Sequence, residues 1–266
     1  MGSEMCIRDS FGIDLDLTPY RHIVLYIFSG LTLITVLISL FAPAVGNFEK
    51  DLVAKGLSQA QTKMKLTRTN AENSQATSFG VNKGVVILGD SVALRSKDQI
   101  ESSIDNVAID AVVSRNLSTI NDLLKDYADS NALAKDVVIA GGVNEIDDYK
   151  GVINKIIKNL PKGHHIIFVT PYNGSKSGNE AQSLLQLRKY ELEMAKKYDF
   201  VTVADWYQVA KENISIWNGT DGVHFGSDSD SINRGAKLYT NTIKEAIAKA
   251  NQKPVKGGKK LSLIHI

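Results

Sequence analysis

From Lys83 onward the chain alternates short apolar, β-branched runs with longer amphipathic stretches. Val85–Leu88, Val107–Val113, Val137–Ala140, Ile166–Thr170 and Phe200–Ala204 have the length and residue types of strands. Leu94–Ile104, Leu117–Leu133, Tyr149–Leu160, Glu180–Tyr198 and Ile232–Ala250 carry helical spacing. In the last of these, Ile232, Ala236, Tyr239, Ile243 and Ile247 mark one buried face. Strands that are apolar on both faces and separated by helices predict an α/β fold. The expected form is a three-layer α/β/α sandwich around a central parallel sheet of about five strands. Roughly 170 residues is ample for one such core.

The N-terminal part has a different pattern. His22 to Val45 is apolar and uncharged, and about 20 such residues suffice for a transmembrane helix. Tyr20 and Tyr26 suit a membrane interface, and Arg8 and Arg21 before the span place the chain after it outside the cell. Ala42-Pro-Ala44 also resembles a signal-peptide cleavage site, which leaves a cleaved leader as the alternative. Gly46 to Lys83 is rich in Ser, Thr, Asn, Gln, Lys and Ala and reads as a flexible linker, with a short helix at Ala60–Lys65. Met5 to Ser10 and Leu261 to Ile266 resemble translated adaptor sequence. Residues 1–20 therefore read as a truncated or foreign segment and 251–266 as a tail.

Composition adds mainly exclusions. The 266 residues carry a net charge of +2, and no basic stripe with interleaved aromatics appears, so nucleic acid is not an expected partner. Lys256 to Lys260 reads as a solvated basic end. Cys6 is the single cysteine, which excludes an internal disulfide and a cysteine metal cluster. No metal or cofactor is expected.

Ligands in open parallel sheets bind beyond the carboxyl ends of the strands. Ser91, Ser114 and Asn144 come after the first three strands, and Asp221 and His224 lie between the last strand and the last helix. Ser91 is the candidate nucleophile, although Gly89-Asp90-Ser91 equally fits a turn with Ser91 capping the next helix. His224 is the candidate base and Asp221 its orienter; an Asp-Gly turn before an exposed histidine is the bland alternative. Asn144 can donate an amide N–H to an oxyanion, with backbone N–H groups of Ser91 and Ser114 beside it. The loop Gly141-Gly142-Val143-Asn144 could also be no more than a glycine turn. Tyr172, Asn173 and Trp217 lie on loops near the proposed site and are candidate glycan contacts.

Gly89-Asp-Ser-Val92, Ser114-Arg115, Gly142-Val-Asn144 and Asp221-Gly-Val-His224 resemble, in order and spacing, the four motif blocks of the SGNH hydrolase superfamily, over about Gly84 to Ala250. The resemblance implies a flavodoxin-like SGNH domain over 84–250. It also implies a Ser91–His224–Asp221 triad and an oxyanion hole at Ser91, Ser114 and Asn144. Ser114 stands where the family has glycine. The layout of span, linker and domain, with Val-Ser-Arg115 after the second strand, is similar to the C-terminal end of bacterial peptidoglycan O-acetyltransferases. That likeness implies a serine-dependent O-acyltransferase at the surface of a Gram-positive bacterium. A membrane acyltransferase domain would supply the acetyl group, and a C6 hydroxyl of the peptidoglycan glycan strand would accept it. A membrane-anchored esterase and a non-catalytic wall-binding module remain as alternatives.

Overall fold

A computed structural model describes residues 20–41 and 79–258, except 145, 146 and 176, together with 7–8, 14–15, 52, 55–56 and 58–59. The chain divides into two units, Met1–Glu49 and Lys50–Ile266. In the first unit, residues 7–8 pair antiparallel with residues 14–15. Helix α1 spans Arg21–Phe41. Ile23, Leu25, Ile27, Phe28, Leu33 and Ile34 are exposed around it. Thr32 and Thr35 turn their hydroxyls back onto the carbonyls of Phe28 and Leu31, each at 2.8 Å. Among the described residues no helix is long and apolar enough to cross a membrane. Of the expected span His22–Val45, side chains are described for residues 22–37, which rise about 24 Å against a hydrocarbon core of about 30 Å. Residues 42–45 and the expected helix at Ala60–Lys65 lie outside the described residues.

The second unit is built on five parallel strands: β1 (Asn82–Gly89), β2 (Val107–Ala111), β3 (Ala134–Ala140), β4 (His165–Val169) and β5 (Val201–Ala204). Their order across the sheet is β2-β1-β3-β4-β5. Successive strand side chains point to opposite faces, so Val86, Leu88, Val137, Ile139, Ile166 and Phe168 share one side. They pack with Ile120 and Leu124 of α4 (Leu117–Asp129), Ile153 and Ile156 of α5 (Tyr149–Asn159), and Leu187 and Met194 of α6 (Gly178–Lys197). On the other side, Ile87 lies in register with Ile109 and Val138, and Val138 with Ile167. This face is covered by α3 (Lys97–Ser103) and the long C-terminal helix α8 (Ser229–Ala250). Burial on both faces explains why the strands read as continuous apolar runs.

Several boundaries differ from expectation for identifiable reasons. The single helix expected at Leu94–Ile104 begins earlier and breaks: α2 covers Ser91–Arg95, and α3 starts after a bend at Ser96 (φ −91°, ψ 0°). Asp90 moves the start forward, because its side chain accepts the Val92 N–H and caps α2. Helix α4 stops at Asp129 instead of reaching Leu133. There Asn131 turns to φ 50°, and the N–H groups of Asn131 and Ala132 return to Ala128 and Tyr127 in a Schellman arrangement. Helix α7 (Trp206–Glu212) and a short 3₁₀ turn at Ile214–Trp217 were not evident in the hydrophobic pattern.

Parts of the expected linker and tail pack onto the domain. Leu52 and Gln59 are buried, and the Gln59 side-chain oxygen accepts the N–H of Ala111 on edge strand β2. Lys256 is not a solvated terminal charge. Its main chain exchanges hydrogen bonds with Gly163 and His164, and its Nζ donates to the carbonyls of Ile157, Lys158 and Leu160 at the end of α5. A cation there satisfies carbonyls that the helix leaves unpaired.

Candidate active site

Strand order reverses between β1 and β3, which opens a crevice at their carboxyl ends. Gly89 closes β1 where a Cβ would lie 2.6 Å from that of Ala93 and 3.2 Å from that of Ala111. Only glycine lets the turn sit this close to the sheet. The next N–H, of Asp90, donates to Ala140 O at 2.9 Å and ties the turn to β3. Asp90, and not Ser91, is the cap of α2, which leaves the Ser91 hydroxyl free of the capping role.

Ser91 Oγ lies 2.7 Å from His224 Nε2. His224 Nδ1 lies 2.6 Å from Asp221 Oδ2. The other Asp221 oxygen accepts the main-chain N–H groups of Val223 (2.9 Å) and His224 (2.7 Å). Burial acts to raise the Asp221 pKa, but these hydrogen bonds, with that from the His224 ring, outweigh it and hold the carboxyl below its ordinary value. An ionised Asp221 accepts the Nδ1–H, so the Nε2 lone pair faces the serine hydroxyl. That tautomer suits removal of the Ser91 proton. Gly222 (φ 78°) and Gly226 (φ 79°) bracket the histidine. A left-handed backbone at both positions lets the short loop bring the two side chains to one serine.

The second and third loops meet beside this chain of hydrogen bonds. Ser114 adopts φ 57°, so the residue at the family's glycine position takes the left-handed conformation that glycine favours, at a cost of about 1–2 kcal/mol. Arg115 Nη1 donates to Gly89 O (3.2 Å) and Asp110 O (2.6 Å), and Nη2 to Asp110 Oδ1 (2.9 Å). Asn144 Nδ2 donates to Arg115 O at 3.2 Å. The β1, β2 and β3 loops are thus linked through Arg115. Gly142 (φ 106°) precedes Asn144 where a Cβ would come within 2.7 Å of Leu187.

Of the candidate glycan contacts, Tyr172 and Trp217 pack against each other with ring centroids 5.0 Å apart. Asn173 instead folds its side chain onto Ser175 N (3.0 Å) and Ser175 Oγ (2.7 Å), which braces its own loop. Gly174 N donates to Gly222 O at 2.8 Å, so this loop is fastened to the one carrying Asp221 and His224. Among the described residues no cluster of three His, Cys, Asp or Glu side chains is placed to hold a metal ion.

Arg95 belongs to the site although no sequence motif marked it. It is buried at 8% exposure, and donates from Nε to Phe225 O and from Nη2 to Gly226 O, each at 2.7 Å. A lone charge on an otherwise apolar turn, four residues after Ser91, was the available signal.

No family model matches the chain. Against solved structures, it is 45% identical to the C-terminal catalytic domain of Streptococcus pneumoniae peptidoglycan O-acetyltransferase A (OatA), determined with a methylsulfonyl adduct. That match covers 66% of this chain and 98% of the domain, with a TM-score of 0.65. A G-D-S-L lipolytic protein from Veillonella parvula shares the fold at 15% identity and a TM-score of 0.51, over 62% of this chain and 98% of that one. The Bacillus subtilis protein YrhL, a candidate peptidoglycan O-acetyltransferase by its description, is 28% identical over 165 residues, or 62% of this chain. The chain spans about a quarter of that relative's length (24%). On the strength of the pneumococcal match, the chain belongs to the family of peptidoglycan O-acetyltransferase catalytic domains of the SGNH fold.

Proposed function

We propose that the domain is a serine-dependent O-acetyltransferase acting on peptidoglycan sugars through an acetyl-Ser91 intermediate. The observation that carries the reading is the Asp221–His224–Ser91 hydrogen-bond chain, with links of 2.6 and 2.7 Å. It lies in a domain 45% identical to a peptidoglycan O-acetyltransferase. In the first half-reaction His224 Nε2 takes the Ser91 proton as Oγ attacks the donor ester carbonyl. The resulting oxyanion is held by the N–H groups of Ser91 and Ser114 and by the Asn144 amide, whose second proton is not used at Arg115 O. The carbonyl reforms, the donor C–O bond breaks, and His224 passes its proton to the leaving oxygen. In the second half-reaction His224 takes the proton of a glycan C6 hydroxyl, whose oxygen attacks the acetyl carbon. Collapse breaks the bond to Ser91 and returns the proton to Oγ. Asp221 keeps its charge throughout and stabilises the imidazolium in both halves.

The cellular setting belongs to the same proposal. Residues 21–45 act as a membrane anchor and the chain between it and β1 as a linker whose Leu52 and Gln59 dock on the domain, so that the domain works outside the cell beside a membrane acyltransferase partner that supplies acetyl. The apolar side chains exposed around α1 support a lipid environment for it. Exclusion of water from the acyl-serine separates transfer from hydrolysis. The test incubates the purified chain with an activated acetyl ester and a chitooligosaccharide, with mass spectrometry of the sugar. Acetylated sugar is expected; free acetate with unmodified sugar would make the protein an esterase. Neither product would leave a wall-binding module.

A further inference from the structure

We infer that Arg95 is a positioning residue of the active site, a clamp that sets the register of the His224 loop against Ser91. The inference rests on the acyl-transfer reading above. Helix α2 holds five residues, Ser91 to Arg95. Its first and last residues are one turn apart and so lie on the same side of the helix. Ser91 Oγ meets His224 Nε2 at 2.7 Å, and the Arg95 guanidinium meets the two carbonyls just after His224, those of Phe225 and Gly226. The His224 loop is therefore joined to both ends of one short helix, and the five residues from Ser91 to Arg95 close a rigid ring with it.

The loop needs such a tie. Gly222 and Gly226 leave its backbone permissive, and Gly222 O is held from the other side by Gly174 N. The guanidinium is planar and grips two carbonyls at once, so it fixes the tilt of the peptide and not only its distance. A lysine ammonium is a point charge without that planar fork and cannot impose the tilt. The loop's anchorage to the domain does not depend on the clamp. Phe225 is fully buried and packs against Trp206 and Tyr239 with ring centroids 5.9 and 6.4 Å away. Removing the guanidinium therefore leaves a folded protein in which the imidazole points slightly amiss. A misplacement of about 1 Å costs on the order of 100-fold in rate.

The test measures 4-nitrophenyl acetate cleavage by the full chain carrying Arg95→Ala or Arg95→Lys, with thermal unfolding of each. For Arg95→Ala, kcat should fall on the order of 100-fold with KM little changed. Added guanidinium ion should restore much of the loss, whereas Arg95→Lys should recover little. An Arg95→Ala protein with wild-type kcat would overturn the clamp. So would a lost kcat that guanidinium cannot restore, because a collapsed fold has no site for it. Ser91→Ala run in parallel separates the two possible failures. Cleavage surviving in Ser91→Ala defeats the acyl-transfer reading itself, whereas cleavage lost there but kept in Arg95→Ala defeats only the clamp.

Discussion

Replacing Asp90 with Asn tests whether burial or helix capping governs the turn that carries the nucleophile. The Asp90 side chain is 3% exposed and lines a cavity of about 10 Å³ with Val92, Tyr172, Trp206 and Tyr239, room for about one water. Burial pushes its pKa up from 3.8 to about 7, against the N–H groups of Val92 and Ala93 and the charge of Arg115. A folded-state value above the unfolded one means that the associated stability is complete below the unfolded value and drains away as pH rises towards the folded one. Between 3.8 and about 7, at about 1.4 kcal/mol per pH unit, the loss reaches about 4 kcal/mol. The folded-state value of about 7 already includes the opposing hydrogen bonds from Val92 and Ala93, so burial prevails over capping. Asparagine keeps the oxygen that accepts the Val92 N–H and cannot ionise. Urea unfolding across the pH range should therefore show Asp90→Asn close to wild type in acid and more stable by up to about 4 kcal/mol at mildly alkaline pH. A variant less stable than wild type by a constant amount at every pH would refute the reasoning, because the cap would then dominate.

Other substitutions probe the remaining parts of the site. Asp221→Asn should lower kcat for acetyl ester cleavage by about 10²–10⁴-fold with KM little changed, because the carboxylate that fixes the His224 tautomer is gone. Asn144→Ala should cost about 10²–10³ in kcat if its amide serves the oxyanion. Ser114→Gly should keep kcat, since the backbone N–H survives and φ 57° suits glycine; a large loss would assign the work to the Ser114 hydroxyl. Gly235→Ala should lower both melting temperature and kcat, because the added Cβ overlaps the Phe225 ring next to His224.

The sheet was legible in the sequence because its strands are buried on both faces and each ends at a polar turn. The same regularity placed Ser91, Asn144, Asp221 and His224 on one rim before any distance was known. Structure with weak periodicity was harder to read. Helix α7 is short and begins at Trp206, with only Asp205 between it and the end of β5. The breaks at Ser96 and Asn131 depend on local backbone geometry that a hydrophobic pattern does not encode. The clamp at Arg95 joins residues 130 and 131 positions apart, and no local motif reports a side chain that serves distant carbonyls. Lys256 escaped for a related reason: a lysine near a chain end resembles a solvated charge until the helix end it caps is visible.

The central claim is that acetyl passes through Ser91 on its way to sugar. Its most direct test is peptide mapping of the protein quenched during turnover with an activated acetyl ester, and then a chase with chitooligosaccharide. One acetyl group should appear on the peptide containing Ser91 and then move to the sugar, and His224→Ala should prevent its formation. Acetylated sugar produced at the wild-type rate by Ser91→Ala, with no acetyl on that peptide, would contradict the account.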